Sequence, residues 1–297
     1  MPLIVILGPT SSGKTALSIK LAKKFGGEIV SADSRQVYKG MDVGTGKATK
    51  GEMRGIPHYL LDTASPKRKF TVVKYQKLAL GAINKTLKRG KIPILCGGTG
   101  FYIQAVVDGI IIPEVKPDWP LRSRLEKNSA EKLFSLLKKL DPKRAKNIDN
   151  RNRRRLIRSL EVAIKSRNPL PSLKKNPLPF DILMIGIKKP PEELKKLIQQ
   201  RLLKRLRQGM VAEVQGLRQQ GVSWRRLNDF GLEYRFISAY LRGKLHYNEM
   251  TKLLQKAIEH YAKKQMTWFK RDKRIKWVTT CEEAEVLTKV FLKKFLQ

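Results

Sequence analysis

Eight residues near the start, Gly8-Pro9-Thr10-Ser11-Ser12-Gly13-Lys14-Thr15, have the types and spacing of a phosphate cradle, G-x-x-x-x-G-K-[ST]. They follow the apolar stretch Leu3 to Leu7 and precede a helical pattern over Ala16 to Phe25, the strand-loop-helix setting that such a loop requires. Successive backbone N–H groups at a helix N-terminus make a concave positive site for a diphosphate. Lys14 adds a point charge, and the Thr15 hydroxyl is placed to hold magnesium. The loop reads as a diphosphate site, not as proof of ATP hydrolysis. An NTPase also offers an apolar strand ending in a magnesium-ordering Asp. Tyr59-Leu60-Leu61-Asp62 and Ile29-Val30-Ser31-Ala32-Asp33 are the nearest approaches, and both are poor matches.

Asp33 is the most informative carboxylate. It lies just beyond the second strand, so a doubly wound sheet would turn it toward the same crevice as the phosphate loop; a plain turn or N-cap Asp is the competing reading. Gly97-Gly98-Thr99-Gly100 follows the apolar run Ile92 to Cys96 and is a backbone-permissive loop at the same sheet edge.

The elements that must position these groups follow from periodicity. Leu3 to Leu7, Glu28 to Val30, Ile92 to Cys96, Ile182 to Ile187 and Ile275 to Val278 read as strands separated by helical patterns, which predicts an α/β doubly wound parallel sheet. From about Pro113 to Pro191 the pattern changes to helical segments rich in Lys and Arg, punctuated by Pro117, Pro120, Pro142, Pro169, Pro171, Pro177 and Pro179. The expected organisation is a core of residues 1–113 and 192–297 with a mainly helical insert at 114–191. Beyond it, Glu192 to Gly209 and Val211 to Gly221 are helix-like. From Tyr247 to Arg271, Leu253, Leu254, Ala257, Ile258, Tyr261 and Trp268 keep the spacing of one buried face, read as core and not as a ligand box.

The 297 residues carry 63 Lys plus Arg against 25 Asp plus Glu, a formal charge of +38, which implies strong attraction to a polyanion; a nucleic acid that screens self-repulsion is favoured over a generally basic, soluble surface. Within the insert, Arg151, Arg154, Arg155 and Arg158 fall on one helical face, and Leu156, Ile157, Leu160, Ala163 and Ile164 on the opposite one. Few acidic neighbours accompany that stripe, so phosphate contact is favoured over a merely solvated face. Cys96 and Cys281 belong to no CxxC or Cys/His cluster, so neither a zinc site nor a disulfide framework is expected and a reducing cytoplasm fits. No apolar run approaches membrane-spanning length.

The segment from Ser31-Ala32-Asp33-Ser34-Arg35-Gln36 through Gly44-Thr45-Gly46-Lys47 resembles the signature of bacterial tRNA dimethylallyltransferases. Further blocks resemble that family in family order: Pro57 to Asp62, Gly97 to Tyr102, Arg155 to Val162, Gly231-Leu232-Glu233-Tyr234-Arg235 and Lys264 to Phe269. The resemblance implies transfer of a dimethylallyl group from dimethylallyl diphosphate to the exocyclic amine of the adenosine just 3′ of a tRNA anticodon, with diphosphate released. It makes Asp33 the general base. It also makes Thr10, Lys14 and Arg235 stabilisers of the leaving group with magnesium at Thr15, and Thr99 a positioning group. Asp33, Ser34, Arg35, Gln36, Thr99, Arg122 and Arg154-Arg155-Leu156-Ile157-Arg158 would touch the anticodon stem-loop. The target base would flip into a channel open at both ends, and one chain would suffice to grip a tRNA, so a monomer is expected. Arg153-Arg154-Arg155 is more basic than the family norm, and Gly231 to Arg235 is a variant of a glycine-tyrosine-basic block. No Cys/His finger follows the last helix, so a bacterial-type minimal enzyme is the expectation. The rivals are an adenylate isopentenyltransferase acting on a free nucleotide, a P-loop small-molecule kinase, and a non-catalytic RNA-binding protein.

Overall fold

A computed structural model describes residues 1–111, 115, 117–166, 176 and 178–295. The chain divides into two units, Met1–Asp108 with Pro177–Gln297, and Gly109–Asn176.

The first unit opens with β1 (Pro2–Leu7), α1 (Lys14–Phe25), β2 (Gly27–Ser31), α2 (Lys50–Met53), β3 (His58–Tyr59), α3 (Val72–Lys88), β4 (Ile92–Gly97) and α4 (Gly100–Val107). The second unit contributes α5 (Trp119–Leu125), α6 (Ala130–Leu140), α7 (Pro142–Lys146) and α8 (Arg153–Ser166). The chain then returns through β5 (Asp181–Ile187), α9 (Pro191–Arg207), α10 (Met210–Gln219), α11 (Trp224–Phe230), α12 (Leu232–Leu241), α13 (Tyr247–Phe269), β6 (Ile275–Val278) and α14 (Cys281–Lys293).

The six strands form one sheet in the order β3-β2-β4-β1-β5-β6, and every pairing is parallel. Continuous apolar strands suit a sheet covered on both faces. Leu3, Val5 and Leu7 of β1 pack with α3 and α4 residues such as Ala79, Ile83 and Val106. Ile4 and Ile6 point the other way, into a cluster with Leu17 and Leu21 of α1 and Leu292 of α14. Each fully buried aliphatic side chain contributes roughly 2 kcal/mol. A third cluster joins α9 to α13 with Val37, Tyr38 and Met41 from the chain after β2.

The five strands expected from periodicity are present, and β3 is an addition. At two residues it is too short to show a period, and its pairing with Ile29 and Val30 defines it. β5 pairs with β1 from Pro2↔Asp181 to Leu7↔Gly186, so it belongs to the sheet although it lies within the span 114–191. Pro113, Pro169, Pro171 and Pro177 lie outside the described residues.

In the second unit, Leu133 and Leu137 of α6 pack with Leu156, Ile157 and Leu160 of α8. Glu161 is fully buried and its charge is neutralised internally. Arg122 grips it with Nε and Nη2, each donating at 2.7 Å, Arg158 Nη1 donates at 2.5 Å, and the Asp118 amide at 2.7 Å. A buried charge that loses its partners is strongly destabilising. Replacing Arg122 by Ala should therefore loosen this unit by about 3 kcal/mol. The expected readout is faster amide exchange over α6 and α8 in the full chain with α1 and α3 unaffected; uniform protection would show that Glu161 does not depend on Arg122.

Candidate functional site

The phosphate loop leaves β1 through Gly8 at φ 150° and turns at Ser11, whose φ of 62° lies in the left-handed region, before Gly13 at 91° admits the chain to α1. Among the described residues no side chain caps α1, and its first turn carries no acidic residue. Its first N–H groups are therefore left for an anion. The Ser12 hydroxyl is buried without a hydrogen-bond partner among the described residues. Lys14 Nζ donates to the Pro9 carbonyl at 2.6 Å, curling back over the loop.

Thr10, Lys14 and Thr15 line one cavity together with Asp33, Gln36, Thr45, His58, Cys96, Arg201, Tyr261 and Gln265. Lys14, Thr15 and Arg201 also border a larger basic groove that includes Ser11, Gly13, Lys20, Lys23, Lys24, Arg54 and Lys204. The loop is thus reached from two sides, with Asp33 on the inner one.

Both readings of Asp33 hold at once. Its Oδ1 accepts the amides of Arg35 at 2.8 Å and Gln36 at 3.4 Å, a turn role, while the residue lines the cavity. Oδ2 has no partner among the described residues. Thr99 Oγ1 accepts the Ser34 amide at 3.0 Å, tying the loop after β4 to the loop after β2. Thr99 is not among the residues lining the cavity, although Gly97 and Gly98 are. Arg35 Nε donates to the Phe230 carbonyl at 2.7 Å, and its guanidinium lies 5.9 Å from the Phe230 ring centroid.

The cation facing Lys14 and Asp33 is Arg201 of α9. Arg235, expected from its sequence block, is exposed on α12 and absent from the cavity lining. Burial, with Arg205 close by, lowers the pKa of the Arg201 guanidinium. Its Nη2 donates to the Gly46 carbonyl at 3.1 Å, and a Cβ on Gly46, whose φ is +59°, would collide with it. The segment from Asp42 to Gly44 is held by Glu213, which accepts three amides at 2.7, 2.6 and 2.9 Å and the Tyr234 hydroxyl at 2.8 Å. Arg205 closes the same segment by donating to the Val43 carbonyl at 2.7 Å and to Glu233 at 3.0 Å. Lys47 binds Asp62 at 2.7 Å, so that carboxylate serves the loop and not the cavity.

Lining residues that sequence reasoning missed include Tyr261, Gln265 and His58. Tyr261, read as core on the α13 stripe, faces the cavity, where burial raises its phenol pKa. Gln265 lies one turn further along α13. His58 holds its ring by an Nδ1 contact to the Ile56 carbonyl at 2.8 Å, and burial lowers its pKa. A signal existed for Arg201 and Gln265, since both interrupt apolar stripes that include Ile198 and Leu202, or Ile258 and Phe269.

Of the expected RNA-contacting residues in the second unit, Arg154 and Arg155 are exposed. Leu156 and Ile157 are core, and Arg122 and Arg158 are bound to Glu161. The apolar period of α8 puts Leu156 and Ile157 in the core, and the buried Glu161 draws in Arg122 and Arg158. Arg151 precedes α8, and Ile164 is 39% exposed, so the buried apolar face ends at Ala163.

A family model described as IPP transferase matches residues 36–272. The tRNA dimethylallyltransferase of Pelotomaculum thermopropionicum is 40% identical over 284 residues, covering 93% of this chain and 90% of that protein. The tRNA dimethylallyltransferase 2 of Trichlorobacter lovleyi is 42% identical over 273 residues, covering 92% and 88%. Among solved structures, the full-length tRNA isopentenylpyrophosphate transferase of Bacillus halodurans aligns with a TM-score of 0.74 at 33% identity over 99% of this chain and 96% of that one. A eukaryotic dimethylallyltransferase solved acting on tRNA aligns with a TM-score of 0.76 at 25% identity, over 98% of this chain and 77% of that chain.

Burial pulls the Lys14 ammonium down to about 8, with Cys96, Arg201 and Asp33 as smaller influences. Above that pH the lysine is neutral and attracts an anion less. Affinity for inorganic diphosphate should therefore fall by on the order of tenfold between pH 8 and 9.5 relative to Lys14→Arg, which stays charged. Parallel pH profiles for the two proteins in a calorimetric titration would remove Lys14 from this role.

Proposed function

Because the chain belongs to the IPP transferase family, which includes the tRNA dimethylallyltransferases, we propose that it moves a dimethylallyl group from dimethylallyl diphosphate to an exocyclic adenine amine next to a tRNA anticodon. The observation that carries this reading is the shared cavity, with the phosphate loop on one wall and Asp33 on another.

An aromatic amine is a weak nucleophile until its proton has somewhere to go. Asp33 Oδ2 accepts a hydrogen bond from that amine and takes the proton as the new carbon–nitrogen bond forms at the allylic carbon. The carbon–oxygen bond breaks in the same displacement, and its electron pair leaves on the diphosphate. Lys14, Arg201, the free amides of α1 and the unpartnered Ser12 hydroxyl stabilise that charge in a site where burial strengthens each contact. The exposed Arg235 is assigned no part in it.

The donor set fits magnesium. Thr15 lines the cavity beside Lys14, so its hydroxyl would be available as a hard oxygen ligand. Bound there, magnesium would neutralise charge on the leaving diphosphate. Thr15 would hold it.

The acceptor base has to leave its stack to enter a cavity of this kind. Ser34, Arg35 and Gln36 follow Asp33 directly, and Thr99 braces them through the Ser34 amide, which supports a role for that turn in holding the flipped nucleotide. The net charge of +38 and the exposed Arg154 and Arg155 support phosphate contact on the anticodon stem. A tRNA substrate implies the cytoplasm, and among the described residues no helix is long and apolar enough to cross a membrane.

With purified protein, labelled dimethylallyl diphosphate and either tRNA or AMP, nucleoside mass analysis should find the added group on tRNA alone; modification of AMP alone would reject this function. Asp33→Ala should slow turnover by on the order of a hundredfold or more, with tRNA affinity little changed. Replacing Arg154 and Arg155 together should instead weaken tRNA binding and shallow its salt slope by about 1 to 2. An unaltered slope would take α8 off the RNA.

A further inference from the structure

Gln265 is a polar residue on the buried stripe of α13, 7% exposed between Ala262 and Phe269. A buried carboxamide has to satisfy both its donor and its acceptor. Its Oε1 accepts the Thr10 amide at 2.8 Å, and its Nε2 donates to the Gly98 carbonyl at 2.8 Å. Thr10 belongs to the phosphate loop after β1, and Gly98 to the loop after β4. A Cβ on Gly98 would collide with the Gln265 Nε2, so the absence of a side chain there admits the amide. One residue further on, Thr99 Oγ1 accepts the Ser34 amide beside Asp33. Hydrogen bonds and peptide bonds thus run without a break from Thr10 through Gln265, Gly98, Thr99 and Ser34 to Asp33.

We infer that Gln265 is a positioning residue that sets the separation between the loop holding the leaving anion and the loop bracing the acceptor. This inference rests on the alkyl-transfer reading. Ordinarily the amides of a phosphate loop point at the anion. Here the Thr10 amide is drawn away to α13, while Thr10 still lines the cavity shared with Asp33. A displacement needs nucleophile and leaving group held at reacting distance, and an error of about 1 Å lowers the rate on the order of a hundredfold. The clamp acts on that distance and not on the charge gripping the diphosphate, so its loss falls on kcat. An ionised glutamate could accept from Thr10 but has no hydrogen for Gly98. Once protonated it bridges both.

The test uses the full chain with dimethylallyl diphosphate and tRNA. Gln265→Met, similar in length and without strong hydrogen bonding, should lower kcat by on the order of tenfold to a hundredfold while the KM for dimethylallyl diphosphate stays within about threefold. Gln265→Glu should be as impaired at pH 8 and regain activity, as a ratio to the original protein, as pH falls toward 6. Hydrogen exchange of residues 8–15 in the unliganded protein should be faster in Gln265→Met than in the original. An unchanged kcat in Gln265→Met, or a Gln265→Glu ratio that stays level with pH, would overturn the assignment. If the original protein transfers no isoprenoid, the proposed function fails, and unchanged exchange over residues 8–15 would then sink the clamp independently. Loss of folding would appear in Gln265→Glu at every pH, separable from recovery on acidification.

Discussion

All six strands run in one direction, so every strand-to-helix loop leaves the sheet by the same edge. The loops after β1, β4 and β2 follow neighbouring strands, and they carry the Gly8 to Thr15 segment, the Gly97 to Gly100 turn and Asp33. Parallel order brings a cation-rich wall and a carboxylate to one cavity without a long excursion of the chain. An antiparallel pairing of β1 with β4 would separate them by the length of a strand.

Electrostatics then determines which groups face that cavity. Lys14 and Arg201 are both kept below their ordinary pKa by burial, and each is close enough to Asp33 to feel its charge. Two half-buried cations beside one carboxylate leave a local deficit of negative charge. The segment from Asp42 to Lys47 is built around this arrangement. Glu213, Arg205 and Arg201 bind its backbone, and its glycines leave room for those side chains. That word of sequence owes its composition to α9 and α10 as much as to any ligand.

The second unit shows how far a charge count can mislead. Arg158, in the α8 stripe, and Arg122, by resemblance, both read as RNA-facing, yet both bind the buried Glu161, while Arg154 and Arg155 are exposed. A helical projection distributes charges by angle and cannot show that a carboxylate one turn away is buried. The same limit explains Tyr261. Its spacing matched the α13 core, but a cavity at the carboxyl edge of the sheet lies against part of that stripe.

Local structure was legible from residue order alone. The cradle, the helix after it, five of the six strands and the loop position of Asp33 depend on short-range spacing and backbone preference, which a linear chain displays directly. What folding alone decided were the partners drawn from far along the chain: Arg201 in the cavity where Arg235 was expected, Gln265 bridging Thr10 and Gly98, and Glu161 between two arginines. Burial and hydrogen bonding act between groups brought within a few ångströms by packing, so residue order can nominate such groups but cannot choose among them.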